Sequence, residues 1–380
     1  MRNPFETEEH QAFRDAVINF VEREIRPYAD EWDEACETPW ELHEKTAALG
    51  IFGFDIDEAY GGVGFDDAFM RAIWAEESGK CGATGIISDM ICRNISVDPI
   101  NQLGSEEIKR RVLPEVLAGR KGSSLAITEP SCGSDVASLK TKAVRDDDHY
   151  VLNGSKTFIT GGMRSDYFVV AARTGGEGLA GISLFLVESD FPGFAREPLK
   201  RKMGWWSSGT ATLFFDDCRV PAGNLLGPEN KGFIAVMENF NRERFFLIAQ
   251  ALGMMKVCME DSIEWAQQRR TFGKLLIEHQ VIRHKIAEMA ARIDAVEALV
   301  NHIAWQMNEG ETPVAEIYKA KFFTTKALEY CASEAMQILG GAGFLRGNRI
   351  ERIYRDVKVF AIGGGSEEIM RDQAVRRMGL

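Results

Sequence analysis

Glu243 and Arg244 lie where charge is least expected. At helical spacing from Phe233, the residues Val236, Met237, Phe240, Leu247, Ile248, Ala251 and Met255 share one side of an amphipathic helix. Arg244 falls in the middle of that apolar stripe, and Glu243 on its edge near Val236 and Leu247. A charge on a buried stripe is costly unless it is paired or used. Adjacent residues do not face one another on a helix, so the two cannot simply satisfy each other. The helix therefore reads as a pocket wall that offers a carboxylate and a guanidinium to something else. A structural ion pair with residues elsewhere is the competing reading.

Three other stretches carry unusual chemistry. Residues 126–135 run from a strand into a Pro/Gly turn rich in hydroxyls. Such a turn exposes N–H groups that suit a cofactor edge or a phosphate, although an ordinary turn has the same composition. Arg269 and Arg270 precede Thr271-Phe272-Gly273 and Glu278-His279-Gln280. Tandem arginines suit either a helix C-terminus or a pyrophosphate. A lone His279 is more often structural than catalytic. Gly363, Gly364 and Gly365 precede a candidate N-cap, Ser366, so a helix N-terminus faces a loop whose backbone can approach a ligand. No Gly-Lys-Ser/Thr follows, which excludes a Walker A loop, and no GxGxxG follows a strand, so a Rossmann cofactor fold is not supported.

The elements that position these residues change texture twice. Residues 1–120 read as a helical domain. Thr7 caps a first helix that Pro27 ends, Pro39 opens a second that stops at Gly50, and two more are expected near 68–78 and 82–95. A last helix starts at Ser105 with Glu107 and Arg111 spaced to pair, and ends at Gly119. The Gly-rich stretch 50–66 between them is a loop. Residues 121–228 hold short β-branched and aromatic runs at regular spacing, the pattern of a β-barrel or sandwich domain. Asn153-Gly154 is a hairpin signal within it. Residues 229–380 return to helical periodicity, with helices near 230–268, 281–309, 313–340 and 366–378 and a shorter one near 348–356. Long helices with short connections imply an antiparallel four-helix bundle.

Bulk properties narrow the function classes. The 380 residues are 45% hydrophobic and 27% charged, enough for two or three packed domains. Net charge is −12 and basic runs are short, which argues against nucleic acid. The seven cysteines are scattered with no CxxC pair, implying a reducing compartment with neither a disulfide framework nor a zinc site. No apolar run reaches membrane-span length, and the acidic N-terminal stretch is unlike a signal peptide. A cytoplasmic protein with no metal is expected.

ITEPSCGSD at 127–135, FIT at 158–160, RRTFGKLLIEHQ at 269–280, QILGGAGF at 337–344 and ERIYRDVKVFAIGGGSEEIMR at 351–371 together resemble the acyl-CoA dehydrogenase family, in order and spacing, over nearly the whole chain. The resemblance implies an N-terminal helical domain, a middle β domain and a C-terminal bundle, with FAD as cofactor. Leu125, Ala126, Ile127, Thr128, Gly133 and Ser134 match the segment along the isoalloxazine, with Ser134 also near the acyl-CoA phosphates. Phe158, Ile159 and Thr160 match a second flavin contact, where many relatives have Trp in place of Phe158. Arg269, Thr271, His279 and Gln280, with Gln337, Ile338, Leu339, Gly340 and Gly341, match FAD contacts made across a subunit interface. Ser366, Glu367 and Glu368 match flavin-side residues, and Asn241, Arg244 and Gly365 match contacts to the acyl-CoA. A homotetramer and an electron-transfer flavoprotein as acceptor follow from the same resemblance.

One departure decides the mechanism expected. Many relatives have Tyr-Glu-Gly-Thr at the position of Gly363-Gly364-Gly365-Ser366, and that Glu is their base. Here it is Gly364. In the long-chain and isovaleryl members the base stands on the bundle helix immediately before the arginine, which is Glu243 in this chain. Glu243 is thus the expected base for the α-proton, a backbone N–H near Gly364 the expected donor to the thioester carbonyl, and flavin N5 the β-hydride acceptor. Loss of side chains at 363 and 364 also implies more room for a branched or alicyclic acyl group. Relatives with a Gly-rich loop include enoyl-CoA reductases, and others remove a sulfinate group; retention of Glu243 argues against the latter. A non-catalytic flavin or acyl-CoA binding protein is the rival from another class.

Overall fold

The computed structural model describes residues 3–380, apart from the side chains of 234–236 and 238. Val236 of the expected stripe therefore lies outside the described side chains. Six helices come first: α1 (Glu8–Phe20), α2 (Ala29–Ala35), α3 (Glu41–Ala47), α4 (Ala68–Gly79), α5 (Thr84–Leu103) and α6 (Glu106–Leu117). Thr7 caps α1 through its hydroxyl, which accepts from the His10 N–H. The helix does not stop at Pro27, however. It continues through a π turn at Val21–Ile25 and a 3-10 turn at Arg26–Tyr28 into α2. Pro27 sits in the first turn of that 3-10 segment, where its missing N–H has no partner to lose. Likewise α5 runs past the expected end at 95 and carries Pro99 inside it. Ser105 caps α6 as expected, but Arg111 pairs with Glu188 of the β domain instead of Glu107.

The middle of the chain forms one eight-stranded sheet. Its strands are β1 (Ser123–Ala126), β2 (Lys142–Asp146), β3 (His149–Ile159), β4 (Tyr167–Arg173), β5 (Ile182–Glu188), β6 (Phe194–Pro198), β7 (Ala211–Pro221) and β8 (Leu225–Leu226). They pair in the order β6-β7-β3-β2-β4-β5-β8, and β1 pairs in parallel with β4. The β4 and β5 strands are buried on both faces. Phe168, Val170, Phe185 and Val187 face a core within the sheet domain, while Val169, Ala171, Leu184 and Leu186 join the core of the N-terminal helices. That double burial explains their unbroken apolar runs.

Asn153-Gly154 is not a hairpin. The β3 strand runs through it, with a register slip against β7 between Leu152 and Gly154. The chain reverses earlier, between β2 and β3, where Asp147 takes the left-handed conformation at φ 51°. Gly154 is needed for close approach, since a Cβ there would lie 2.6 Å from Thr141 Oγ1.

The C-terminal domain comprises α7 (Gly232–Gln268), a two-stranded ribbon of β9 (Arg270–Thr271) and β10 (Lys274–Leu275), α8 (Gln280–Asn308), α9 (Val314–Leu339), α10 (Arg349–Ile362) and α11 (Glu367–Arg377). The long helices α7, α8 and α9 pack together, and α10 and α11 both lie against α9. The apolar stripe of α7 is buried from Phe245 to Met255, with α4 of the first domain on its other side. The site is built where α7 meets both the first domain and the α10–α11 link. Among the described residues no helix is long and apolar enough to cross a membrane, and no cluster of metal-ligating side chains occurs. Gly154→Ala should destabilise the protein by about 1–3 kcal/mol through overpacking against Thr141, read as a lowered thermal midpoint with unchanged far-UV dichroism.

Candidate active site

Glycine at 364 and 365 follows from backbone shape. Their φ angles are 65° and 98°, a region that side-chain-bearing residues seldom adopt. The loop they form joins α10 to α11, and Ser366 caps α11 by accepting from the Ile369 N–H. Two cations hold it from below. Arg244 Nε donates to the Gly364 carbonyl at 2.7 Å, and Lys321 Nζ donates to the carbonyls of Phe360, Gly363 and Gly365 at 2.6, 2.7 and 3.0 Å. Three successive peptide carbonyls thus point at α7 and α9. In a trans peptide the N–H points opposite its carbonyl. The N–H groups of Gly364, Gly365 and Ser366 are accordingly turned away from the clamp, and among the described residues none has an acceptor. This is a preorganised set of donors of the kind that binds an oxyanion or carbonyl.

Arg244 is buried and sandwiched between the rings of Phe240 and Tyr318, and its Nη1 donates to Asn241 Oδ1 at 2.9 Å. The two residues expected to meet the acyl-CoA are thus bonded to each other, and Arg244 also holds the loop. Burial lowers the Lys321 ammonium to about 8, with Glu243 opposing the shift. Sequence reasoning missed Lys321, yet it has the same signature as Arg244: a charge amid Ile317, Tyr318, Ala320 and Leu328 on the apolar stripe of α9.

Glu243 is half-buried and has no hydrogen-bond or ion-pair partner among the described residues. Burial pushes its carboxyl up, against the pull of Arg244 and Lys321. It lines a cavity with about 50 Å³ of space for water, part of it open to solvent. Other lining residues are Trp74 of α4, Ile91 of α5, Phe246 of α7 and Met307 of α8. A carboxylate kept unpaired and raised by burial is suited to accept a proton from carbon. The room expected at the glycines is partly filled. A Cβ at Gly364 would come 3.1 Å from Leu247 Cδ1, whereas Gly363 would meet only the Val359 carbonyl, at 3.2 Å, and a Val359 methyl.

The other expected contacts form two separate groups. Thr157 N–H donates to the Thr128 carbonyl at 2.8 Å, which joins the 125–134 segment to the 158–160 segment. Glu129 stiffens that junction. Its carboxylate accepts from the Lys140 and Thr141 N–H groups and from buried Lys156 Nζ at 2.8 Å. Phe158 stands out from the junction with its ring 65% exposed. A flavin fits here: an apolar ring held in the open beside a half-buried Thr128, between the buried Ile127 and Ile159 of the two joined segments. Gly133 and Ser134 are exposed on the following turn, and Leu125 and Ala126 end β1. Glu367 is buried and pairs with Lys326 and Arg371, while Glu368 faces solvent.

The second group lies apart. His279 Nε2 and Thr271 Oγ1 are 3.0 Å apart around the β9–β10 ribbon, with Arg269 and Gln280 exposed at its ends. Gln337, Ile338, Leu339, Gly340 and Gly341 close α9. No described hydrogen bond ties either segment to Thr128, Phe158 or Gly364.

Family models for the acyl-CoA dehydrogenase N-terminal, middle and C-terminal domains match residues 7–120, 124–218 and 230–379. The chain is 37% identical over 366 residues to an acyl-CoA dehydrogenase of Bacillus subtilis, covering 96% of each protein. It is 35% identical over 368 residues to a 3-(aryl)acrylate reductase of Clostridium sporogenes, covering 97% of each. The crystal structure of acyl-CoA dehydrogenase from Geobacillus kaustophilus matches with a TM-score of 0.95 at 35% identity, over 100% of both chains.

Replacing Lys321 with Met would strand the Gly363 and Gly365 carbonyls, each costing about 1–3 kcal/mol if left buried and unpaired, while the Phe360 carbonyl keeps the Thr325 hydroxyl. Exchange of the Gly363 N–H, which donates to the Val359 carbonyl, should then quicken by about tenfold or more, while exchange in β4 and β5 stays slow. Unchanged exchange in the loop would mean the lysine does not hold it.

Proposed function

The chain belongs to the acyl-CoA dehydrogenase family and is an oxidoreductase, and on that premise we propose that it dehydrogenates an acyl-CoA thioester between the α and β carbons with Glu243 as the base. The observation that carries this reading is the unpaired Glu243 carboxylate, raised by burial, on a cavity wall beside a loop that offers no carboxylate of its own.

Each residue has a definite task. The N–H groups of Gly364 and Gly365 donate to the thioester carbonyl oxygen and so make the α-proton more acidic. Glu243 takes that proton, and closure of the cavity by substrate keeps water from competing for it. Arg244 and Lys321 hold the donors in place and oppose the rise that burial imposes on the Glu243 carboxyl. FAD, when bound, supplies the acceptor for the β-hydride. Thr128, Phe158, Ile159 and Thr160 would hold its ring system on this chain, next to Ser366, Glu367 and Glu368. Arg269, Thr271, His279, Gln280 and residues 337–341 would contribute from a neighbouring subunit. Phe272 and Phe344, 98% and 82% exposed beside those segments, are apolar surface that a second copy would cover. The assembly proposed is a homotetramer, with an electron-transfer flavoprotein as acceptor and the cytoplasm as location.

A base at Glu243 would be the arrangement of the long-chain and isovaleryl type of member. The absence of side chains at 363 and 364 supports a branched or alicyclic acyl group over a short straight one. A clear preference for butyryl-CoA over branched thioesters would overturn that choice. The likeness to the Clostridium sporogenes reductase supports a second reading. The same residues would act in reverse on an enoyl thioester, with Glu243 delivering the α-proton.

Glu243→Gln should slow bleaching of the bound flavin by substrate by at least about a hundredfold while flavin content is kept. Unimpaired bleaching would remove Glu243 from the mechanism. The pH dependence has two limbs. The acid limb of kcat/KM should lie above the ordinary carboxylate range, because the Glu243 carboxyl is raised. The alkaline limb should fall near pH 8, where Lys321 loses its proton. The folded-state value of Lys321 lies below its unfolded value, so from about pH 8 upward the folded protein holds fewer protons at this group. Its contribution to stability therefore rises with pH. Loss of activity above pH 8 without a lower thermal midpoint would locate the change in the loop rather than in unfolding.

A further inference from the structure

The cavity that Glu243 lines is not uniformly apolar. Three of its lining residues each carry a buried polar atom with no hydrogen-bond partner: Arg71 Nη2, Trp74 Nε1 and Asn94 Oδ1. Asn94 is oriented by its own bond, since Nδ2 donates to the Ile51 carbonyl at 3.0 Å and leaves Oδ1 free. Arg71 is likewise fixed, with Nε bonded to Asp66 and its guanidinium 5.3 Å from the Phe54 ring centre. Buried polar atoms in folded proteins are almost always paired. Two orphan donors and one orphan acceptor around one cavity therefore point to something that fills it.

Charge selects the kind of group. Arg242 also lines the cavity and pairs with Asp55, Asp66 and Asp98 at 2.6, 3.5 and 3.4 Å. Two guanidinium groups are thus set against three aspartates and Glu243. The Asp98 carboxyl is pushed up by burial although Arg242 and Arg71 oppose it. A ligand carboxylate would add one more negative charge to a region already short of positive charge. A neutral carbonyl would accept from Arg71 and Trp74 but leave Asn94 Oδ1 unpaired. A hydroxyl has two lone pairs and one hydrogen, the inventory that the three orphans require.

Resting on the dehydrogenation reading above, we infer that the acyl group taken by this protein bears a hydroxyl beyond its β-carbon, held by Arg71, Trp74 and Asn94. The reaction leaves that hydroxyl untouched, so it serves recognition alone. The apolar side of the cavity takes the carbon skeleton, and the orphan atoms set which skeleton is preferred.

The test uses the flavin-loaded protein and pairs of saturated acyl-CoA thioesters with the same carbon skeleton. One of each pair is unsubstituted, and its partners carry a hydroxyl at successive carbons beyond the β position or a terminal carboxylate. Binding is read by anaerobic spectral titration and turnover by kcat/KM. At least one hydroxylated thioester should exceed its unsubstituted match by about tenfold or more, because the unsubstituted chain strands buried polar atoms. Trp74→Phe and, separately, Arg71→Met should each narrow that ratio severalfold, and either one suffices if the other fails to fold. Equal or better turnover of the unsubstituted thioesters would overturn the inference and assign the orphan atoms to ordered water only. Preference for the carboxylate would overturn it too. If no thioester bleaches the flavin, the dehydrogenation reading itself fails, which is a different outcome.

Discussion

Two cations hold three consecutive carbonyls of a glycine loop, and the rest of the site depends on that clamp. Arg244 comes from α7, Lys321 from α9, and the carbonyls from the link between α10 and α11. Burying an ammonium in the middle of a helical domain is unfavourable unless its donors are matched, and three carbonyls match all three. The side-chain charges therefore fix the backbone polarity of the loop. Carbonyls turn toward the cations, so amides turn away. Four helices are held in register by one set of hydrogen bonds, and Glu243 stands one residue before one of the cations that makes it.

A second buried lysine does the same within the β domain. Lys156 holds Glu129 and the Ile127 carbonyl, and Glu129 holds two backbone N–H groups of the following turn. The segment bearing Thr128 and the strand bearing Phe158 are thereby locked to each other. In both places buried charges bond to backbone groups, Lys321 to carbonyls alone and Lys156 to a carbonyl and to Glu129. Such contacts set position more than they add net stability, since desolvation offsets much of the gain.

Much of the architecture was legible because periodicity reports directly on burial. The α7 stripe and the strands β3, β4, β5 and β7 stand out in the residue pattern, and Thr7, Ser105 and Ser366 mark helix starts by their side-chain oxygens. Errors came where tertiary context overrides local preference. Pro27 and Pro99 sit in helical turns that packing maintains, and Gly154 marks a close approach rather than a reversal. In the candidate site, Arg244 was visible as a charge on an apolar stripe. Lys321 bears the same mark and went unread. Its partners are about forty residues further along the chain, in a loop whose glycines drew attention to what was missing rather than to where the carbonyls point. The unpaired atoms of Arg71, Trp74 and Asn94 had no signal at all, because an unmet hydrogen bond is a property of three-dimensional surroundings.

The double burial of β4 and β5 reaches beyond the site. Alternate residues along one strand belong to two different cores, so the helical layer and the sheet share a common wall. Neither layer can be excised, exchanged with a relative's counterpart or melted alone without exposing half of that wall. The regions matched by the N-terminal and middle family models thus share one packed wall. Grafting a foreign N-terminal region onto this sheet would succeed only if the donor's helices complement Val169, Ala171, Leu184 and Leu186.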